Sequence, residues 1–280
     1  MKVSRDEVRR FLAEDVGTGD ITVGIIPEFL IAEAEVICRE PMVLCGRAWF
    51  EAVFLELDPH CRFVWQVEEG EEAPAGACLC RLQGSARSLL TGERTALNLL
   101  QTLSGTATLA RRFAQAVAGT QAVILDTRKT LPGLRRLQKY AVRVGGCQNH
   151  RFGLFDGILI KENHILAAGS IRAAIAKAKA LNTGFSIEVE VESLQELEEA
   201  LAAGADIVLL DNFSLEELRQ AVALTRQMMQ HKVFLEASGN IDLDNVRQVA
   251  ETGVDRISIG ALTKHLKAVD LSLRLGRVKG

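Results

Sequence analysis

A repeating order of apolar and amphipathic segments after residue 120 constrains the fold more than any other feature of the sequence. Each repeat has a short apolar run, then charged or small polar residues, then an amphipathic stretch with helical periodicity. The six apolar runs lie at 121–125, 157–160, 187–191, 207–210, 233–235 and 254–259. Strands that alternate with helices through short joints are typical of parallel α/β folds. Because no glycine-rich dinucleotide fingerprint follows the first run, an α/β barrel is favoured over a doubly wound sheet.

Local signals mark where several of the intervening helices begin. Ser193-x-x-Glu196 and Ser214-x-x-Glu217 match the capping box, in which a hydroxyl and a carboxylate satisfy backbone N–H groups at a helix start. Pro132 is favoured in the first turn of a helix predicted near 133–144. These signals support the helical reading of the segments between the apolar runs.

The first 106 residues follow a different pattern. Imperfectly alternating apolar runs, at 34–40, 42–46, 62–67 and 78–82, are separated by glycine, proline and acidic turns. A helical pattern at 47–57 interrupts them, and residues 86–118 are largely helical. With 280 residues the chain has room for two modest domains. We expect a small α+β domain over 1–106, joined by the C-terminal segment 267–280, and the barrel over 107–266.

The formal net charge of −3 hides an uneven distribution. Residues 127–151 hold seven of the 33 Lys and Arg residues and none of the 36 Asp and Glu residues. One basic segment on an acidic chain indicates a pocket for a small anion rather than nucleic acid. A solvated helix face is the alternative for four of these cations, Arg135, Arg136, Lys139 and Arg143.

Other features exclude further classes of protein. No apolar stretch approaches the ~20 residues of a membrane span, and the N-terminus becomes polar too soon for a signal peptide. The six cysteines form no CxxC pair, so we expect reduced thiols in the core of a cytoplasmic protein.

Polar residues follow every predicted strand, at the ends where a barrel carries its chemistry. These are Asp126-Thr127-Arg128-Lys129, Lys161-Glu162-Asn163-His164, Glu190 and Glu192, Asp211-Asn212, Glu236-Ala237-Ser238-Gly239-Asn240 and Ser258-Ile259-Gly260. The last two groups suit a phosphate, because backbone N–H groups at glycine turns bind anions. Glu188, Glu190 and Glu192 share one strand face, and Mg²⁺ on a pyrophosphate would offset their repulsion. An exposed strand face is the alternative.

Lys161 ends an apolar run and allows two readings. A desolvated lysine is a candidate Schiff-base nucleophile, while the neighbouring cations favour a role in binding a carboxylate. His150 and Arg151 follow a glycine pair inside the basic segment, so we expect both to face the ligand.

Several segments together resemble the quinolinate phosphoribosyltransferase family, in order from about residue 11 to 270. The most specific are DTRKTLPGLRRLQKYAVRVGG (126–146), NHR (149–151) and DGILIKENHI (156–165). IEVEVES (187–193), LLDNF (209–213), EASGNI (236–241) and ISIGALT (257–263) agree, as do EDVGTGDIT (14–22) and ERTALNLLQTLSG (93–105). The resemblance implies an N-terminal α/β sandwich domain and an incomplete parallel α/β barrel. The reaction it implies converts quinolinate and phosphoribosyl pyrophosphate to nicotinate mononucleotide, CO2 and pyrophosphate, with Mg²⁺, in NAD synthesis.

The resemblance also implies roles for individual residues. Arg128, His150, Arg151 and Lys161 match the quinolinate-binding positions, and Thr127 stands beside them. Lys129, Glu190 and Asp211 match residues around phosphoribosyl pyrophosphate and its metal, with Lys129, Lys161, Glu190 and Asp211 as the catalytic set. Ser238-Gly239 and Ser258-Ile259-Gly260 match the phosphate-binding turns. A homodimer or dimer-based hexamer is implied, in which Arg94 reaches the neighbouring subunit's quinolinate. Cys147 departs from the pattern, since many relatives carry another small residue there.

Three other hypotheses stay open at this stage. A Schiff-base lyase would use Lys161, and a diverged member of the family would act on another acceptor. A non-catalytic phosphate-binding regulator is the third hypothesis, and it would not explain why the cation cluster occurs together with the acidic residues.

Overall fold

The chain folds into two units. The first comprises residues up to Arg111, Tyr140–Gly145 and the chain from Leu266 onward; the second comprises Arg112–Lys139 and Gly146–His265. The computed structural model describes residues 3–229 and 233–279. No helix within these ranges is long and apolar enough to cross a membrane. The domain boundaries predicted at 106 and 266 stay predictions.

Strands and helices alternate along most of the chain. The strands are β1 (Ile31–Cys38), β2 (Met42–Val43), β3 (Arg62–Trp65), β4 (Glu72–Ala73), β5 (Cys78–Ser85), β6 (Val123–Leu125), β7 (Ile158–Ile160), β8 (Ile187–Val191), β9 (Ile207–Asp211), β10 (Phe234–Ser238), β11 (Arg256–Ser258) and β12 (Leu271–Lys279). The helices are α1 (Arg5–Val16), α2 (Arg47–Leu57), α3 (Ala86–Ala116), α4 (Arg135–Val144), α5 (Glu162–Ala168), α6 (Ile171–Ala180), α7 (Leu194–Ala203), α8 (Leu215–Met228), α9 (Val246–Ala250) and α10 (Ala261–Lys264).

An antiparallel sheet of four strands, in the order β12-β1-β5-β3, forms the first unit. Along β1 every second residue is buried, as expected when one face of a strand covers a core. The aromatic rings of α2 pack on β3, with the Phe50 centroid 5.5 Å from that of Trp65 and 6.3 Å from that of Phe63. A further pair, β2 with β4, includes a strand that the sequence pattern did not predict.

A six-stranded parallel sheet in the order β6-β11-β10-β9-β8-β7 forms the centre of the second unit. Strands β7 to β11 are neighbours in chain order, and the first strand, β6, pairs beyond the last. This one-way winding is that of a barrel, whereas a doubly wound sheet reverses direction at a switch point. In the described residues no ladder joins β6 to β7, so the barrel is open. The prediction of an incomplete parallel barrel after an α/β sandwich is confirmed.

Hydroxyl caps start the helices that follow β8 and β9. The Ser214 side chain accepts from the Glu217 N–H while Glu217 accepts from the Ser214 N–H, which confirms the complete capping box of α8. At α7 the Ser193 side chain accepts from the Glu196 N–H, but Glu196 accepts from the Glu192 N–H instead. These caps fix where the chain turns back from the carboxyl end of the sheet.

Candidate active site

A pocket of about 150 Å³ lies at the carboxyl ends of the barrel strands. Nine residues predicted for the site line it: Thr127, Arg128, Lys129, His150, Arg151, Lys161, Glu190, Ser238 and Ser258. Leu159, Leu209 and Glu236 complete the wall. Parallel strands bring these residues together because their carboxyl ends meet at one edge of the sheet.

Other predicted residues lie outside this lining. Asp211 ends β9, and its Oδ2 accepts a hydrogen bond from the Asn212 side chain at 2.8 Å. Gly239, Ile259 and Gly260 adjoin lining residues in the turns after β10 and β11. Arg94 belongs to the first unit, where it lies exposed on α3.

Four cationic side chains give the pocket its charge. Lys161 forms an ion pair with Glu190 across the neighbouring strands β7 and β8. Burial lowers the pKa of Arg151, and the charge of Arg128 lowers it further. Two guanidinium groups that repel each other in a small pocket favour an anionic ligand that neutralises both.

A buried ion pair beneath the pocket corrects the expectation that Lys139 lies on a solvated helix face. Lys139 and Asp126 form an ion pair in which both side chains are fully buried. Burial raises the pKa of Asp126 and lowers that of Lys139, while their mutual attraction opposes both shifts. Asp126 also accepts from the Asn149 side chain at 2.6 Å and from the His150 N–H at 3.0 Å. The pair therefore fixes the segment that carries His150.

A second buried cluster joins His150 to two glutamates of the barrel interior. Nε2 of His150 lies 2.9 Å from Oε2 of Glu188 and 3.6 Å from Oε1 of Glu236. Burial, with the charge of Glu188, raises the pKa of Glu236 to about 7. Burial alone would lower the pKa of His150, but the hydrogen bond and charge of Glu188, with the charge of Glu236, raise it. Three acid–base groups are thus coupled at the pocket wall, where His150 and Glu236 line the pocket.

Sequence reasoning placed Glu188 and Glu236 among the polar residues of the strands but gave neither an individual role in the site. A signal was available for Glu188, because it alternates with Glu190 along one strand face. Glu236 offered a signal only through its position near the carboxyl end of a predicted strand. In the structure β9 separates the strands that carry them.

An open parallel barrel with a cation-lined pocket at its carboxyl ends defines an enzyme that acts on small anionic substrates. Comparisons with known proteins make the class specific. The family models for the N-terminal and C-terminal domains of quinolinate phosphoribosyl transferase match residues 20–104 and 106–274. The chain belongs to the quinolinate phosphoribosyltransferase family, as its motifs predict.

Similar proteins come from several bacteria. A nicotinate-nucleotide pyrophosphorylase [carboxylating] of Mycobacterium leprae is 43% identical over 279 residues, which cover 97% of each chain. A probable enzyme of the same name from Bacillus subtilis is 42% identical over 95% of this chain and 91% of its own. The structure of the nicotinate-nucleotide pyrophosphorylase from Francisella tularensis superposes with a TM-score of 0.93, at 49% identity and 98% coverage of both chains.

Proposed function

We propose that this enzyme transfers a phosphoribosyl group from phosphoribosyl pyrophosphate to quinolinate, in the synthesis of NAD. The products are nicotinate mononucleotide, CO2 and pyrophosphate. The observation that carries the proposal is the convergence of Arg128, Lys129, Arg151 and Lys161 on one small pocket. Such a density of positive charge suits a dicarboxylate beside a pyrophosphate, since paired guanidinium groups bind carboxylates in a fixed orientation.

The lining residues account for the chemistry without a nucleophilic side chain. Arg128 and Arg151 hold the two carboxylates, so that the ring nitrogen of quinolinate faces C1 of the ribose. The nitrogen lone pair forms the new bond to C1 as the bond to pyrophosphate breaks. Glu190 stabilises the positive charge that develops on the ribose. The positive ring nitrogen then stabilises the electron pair that stays on C2 when the 2-carboxylate leaves as CO2, and a proton bonds to C2.

The donor set at the ends of β8 and β9 fits Mg²⁺. Each of Glu190 and Asp211 uses one carboxylate oxygen on a protein partner, Lys161 and Asn212 respectively. The other oxygen of each stays available within the described part of the chain, and Mg²⁺ prefers one or two carboxylates with phosphate oxygens. Glu190 and Asp211 would hold the ion, directly or through phosphoribosyl pyrophosphate. The chemistry supplied by bound Mg²⁺ is neutralisation of the pyrophosphate leaving group.

The active form that we propose is a cytoplasmic homodimer, or a hexamer built from such dimers. Arg94 supports shared sites, because it lies exposed on α3 and no hydrogen bond or ion pair holds its side chain among the described residues. Its role would be to contact quinolinate in the neighbouring subunit. The six cysteines, all within the described residues and none in a disulfide, suit a reducing compartment.

The direct test is turnover of quinolinate and phosphoribosyl pyrophosphate with Mg²⁺, followed by release of CO2 and formation of nicotinate mononucleotide. We expect activity with quinolinate and none with nicotinate; the reverse preference would overturn the proposal. Arg128→Ala removes one carboxylate contact, so kcat/KM for quinolinate should fall at least tenfold, as lost charged hydrogen bonds of about 1.5–3 kcal/mol imply.

Shared sites can be tested by mixing two inactive variants. Arg94→Ala and Lys161→Ala damage different halves of a shared site, so a mixed dimer contains one site with neither change. Activity that reappears after the two variants are unfolded and refolded together supports the shared site. A mixture as inactive as its components would refute it.

A further inference from the structure

We propose that Glu188 is a positioning residue for quinolinate, which acts through His150 to fix the place of Arg151. The chain of contacts runs from a buried carboxylate through an imidazole to a backbone N–H of the pocket wall. This inference rests on the proposed function for the identity of the ligand. The contacts of Glu188 with His150 and of His150 with Arg151 are seen in the protein itself.

The hydrogen bonds of His150 define its tautomer. The Arg151 backbone N–H donates to Nδ1 of His150 at 2.8 Å, so that nitrogen carries no proton. The ring proton is therefore on Nε2, which lies 2.9 Å from Oε2 of Glu188 and donates to it. In a neutral imidazole the partner of one nitrogen selects the state of the other, and here the Glu188 carboxylate makes that selection.

Protein groups surround both ring nitrogens of His150, although the residue lines the pocket. Glu188 and Glu236 face Nε2, and Arg151 occupies Nδ1. On the backbone side, the His150 carbonyl accepts from Lys139 Nζ at 2.9 Å and its N–H donates to Asp126. The family resemblance gives His150 a direct contact with quinolinate. The geometry adds a positioning role, because both ring nitrogens already have protein partners.

A metal ion at the same three residues does not fit this arrangement. Potential ligand atoms of His150, Glu188 and Glu236 lie within 4.8 Å of one another. However, an imidazole nitrogen that carries a proton has no lone pair to offer, and Nδ1 faces an N–H donor. The cluster is therefore assigned to proton and hydrogen-bond positioning.

Arg151 needs such an anchor because space lies on both sides of it. It lines the active-site pocket and also a cavity of about 490 Å³ near the amino ends of the strands. Its guanidinium donates to the Gly157 carbonyl at 3.1 Å, while backbone hydrogen bonds of His150 and Phe152 hold the chain on either side. Loss of the imidazole acceptor would leave the Arg151 N–H without its partner at the pocket wall, and the Arg151 side chain would be displaced from the quinolinate carboxylate.

Two Glu188 variants separate positioning from general packing. Glu188→Gln keeps an oxygen that accepts from Nε2, whereas Glu188→Leu removes the acceptor at similar volume. We expect Glu188→Leu to raise the KM for quinolinate about tenfold, the effect expected when a hydrogen bond to a charged group is lost. The KM for phosphoribosyl pyrophosphate should stay unchanged, and Glu188→Gln should behave like the wild type. Equal changes in both KM values, or none in Glu188→Leu, would overturn the proposal.

Two His150 variants test the link to Arg151. Asn places its side-chain oxygen where Nδ1 lies, and Gln places a donor where Nε2 lies. His150→Asn should therefore keep more quinolinate affinity than His150→Gln. Equal losses in the two variants would instead indicate a cationic contact between His150 and the ligand.

The tautomer can be measured without any substrate. Nitrogen-15 NMR of labelled histidine at pH 8.5, with His150→Asn to assign the signal, should show an unprotonated Nδ1 and a protonated Nε2. An imidazolium signal would overturn the first link of the chain. Because this measurement does not depend on turnover, it stays decisive even if quinolinate proves not to be the substrate. Inactive wild-type enzyme would refute the proposed function and not this inference.

Discussion

Buried charged residues hold the pocket from beneath. Lys139 and Asp126 neutralise each other with no exposure to solvent, and Asp126 still accepts two further N–H groups. A buried pair of this kind contributes little net stability, but it is costly to break because the remaining charge loses its partner.

Removal of one residue of the Lys139–Asp126 pair should therefore destabilise the protein strongly. Lys139→Met leaves Asp126 buried and unpaired, and we expect the free energy of unfolding to fall by about 3–5 kcal/mol. The double variant Lys139→Met with Asp126→Asn should lose less than the two single variants combined. Urea unfolding measures both effects, with the exposed Lys264→Met as a control that changes stability by less than about 0.5 kcal/mol. Additive losses in the double variant would show that the pair is not coupled.

Glu236 makes stability depend on pH in a predictable direction. Its pKa is about 7 in the folded protein against an ordinary 4.5, so between these values the folded state holds a proton that the unfolded chain has released. The free energy of unfolding should therefore fall as the pH rises from 4.5 to 7, by up to ~3 kcal/mol at 1.36 kcal/mol per unit. Glu236→Gln keeps the neutral shape, so its stability relative to wild type should be higher at pH 8 than at pH 5.

The control for this prediction makes the same chemical change on the surface. Glu198→Gln replaces an exposed carboxylate and should follow the wild-type curve of stability against pH. If the curves for Glu236→Gln and wild type run parallel, Glu236 does not hold its proton in the folded state.

The turns after the strands set the shape of the site. Gly239 follows β10 in the left-handed region at φ +95°, and a Cβ there would overlap the side-chain oxygen of Asn212. Asn212 itself has a φ of 58° and follows Asp211 at the end of β9. The turns after two neighbouring strands are thus packed directly against each other.

A methyl group at position 239 should weaken the binding of phosphoribosyl pyrophosphate as well as lower stability. We expect Gly239→Ala to displace Asn212 and to raise the KM for phosphoribosyl pyrophosphate. Gly169→Ala is a matched control, because Gly169 has a similar φ of +102° with nothing within 4 Å of an added Cβ. Its cost should be the conformational strain alone, about 1–2 kcal/mol in thermal or urea unfolding. Equal effects of the two variants on both measurements would contradict the packing argument.

Elements that bury apolar runs were the predictable part of this fold. The run at 187–191 coincides with β8, and the pattern at 47–57 coincides with α2. Strand β4 escaped prediction because its two residues lie inside an acidic turn and carry no periodicity.

Burial of polar side chains was harder to predict, because their partners are distant in sequence. Lys139 pairs with Asp126, which lies 13 positions earlier in the sequence. The burial of Lys139 has one nearby sign in the sequence, the apolar and buried Val142 three positions along the same helix face. The cluster of Glu188, His150 and Glu236 depends on strand register, which a single sequence does not give. At the level of the sequence, a role for Arg94 came from the family resemblance alone.

Strand β12 completes the four-stranded sheet whose other strands, β1, β3 and β5, lie in the first part of the sequence. Strand β12 pairs antiparallel with β1, from Cys38 opposite Leu271 to Ile31 opposite Lys279. Without β12, strand β1 would present an open edge, and open edges promote aggregation.

Truncation tests whether the protein needs β12 to stay in solution. A chain that ends at Asp270 lacks β12, and we expect most of it to be recovered in aggregates. A chain that ends at Gly276 keeps the pairs from Leu271 to Leu275 and should stay largely in solution, with a lower melting temperature. Soluble, fully active protein from the shorter chain would show that β12 is dispensable.

The pairing of β1 with β12 also has a consequence for synthesis on the ribosome. Residues 31–38 are made well before their partner strand, which follows the barrel in the sequence. All six strands of the barrel are made in between, so the barrel has its full sequence before the first sheet can close. Contacts between such distant segments form slowly. The nascent chain therefore carries an unfinished sheet while the whole barrel is translated, which is the interval in which a chaperone would have a strand edge to protect.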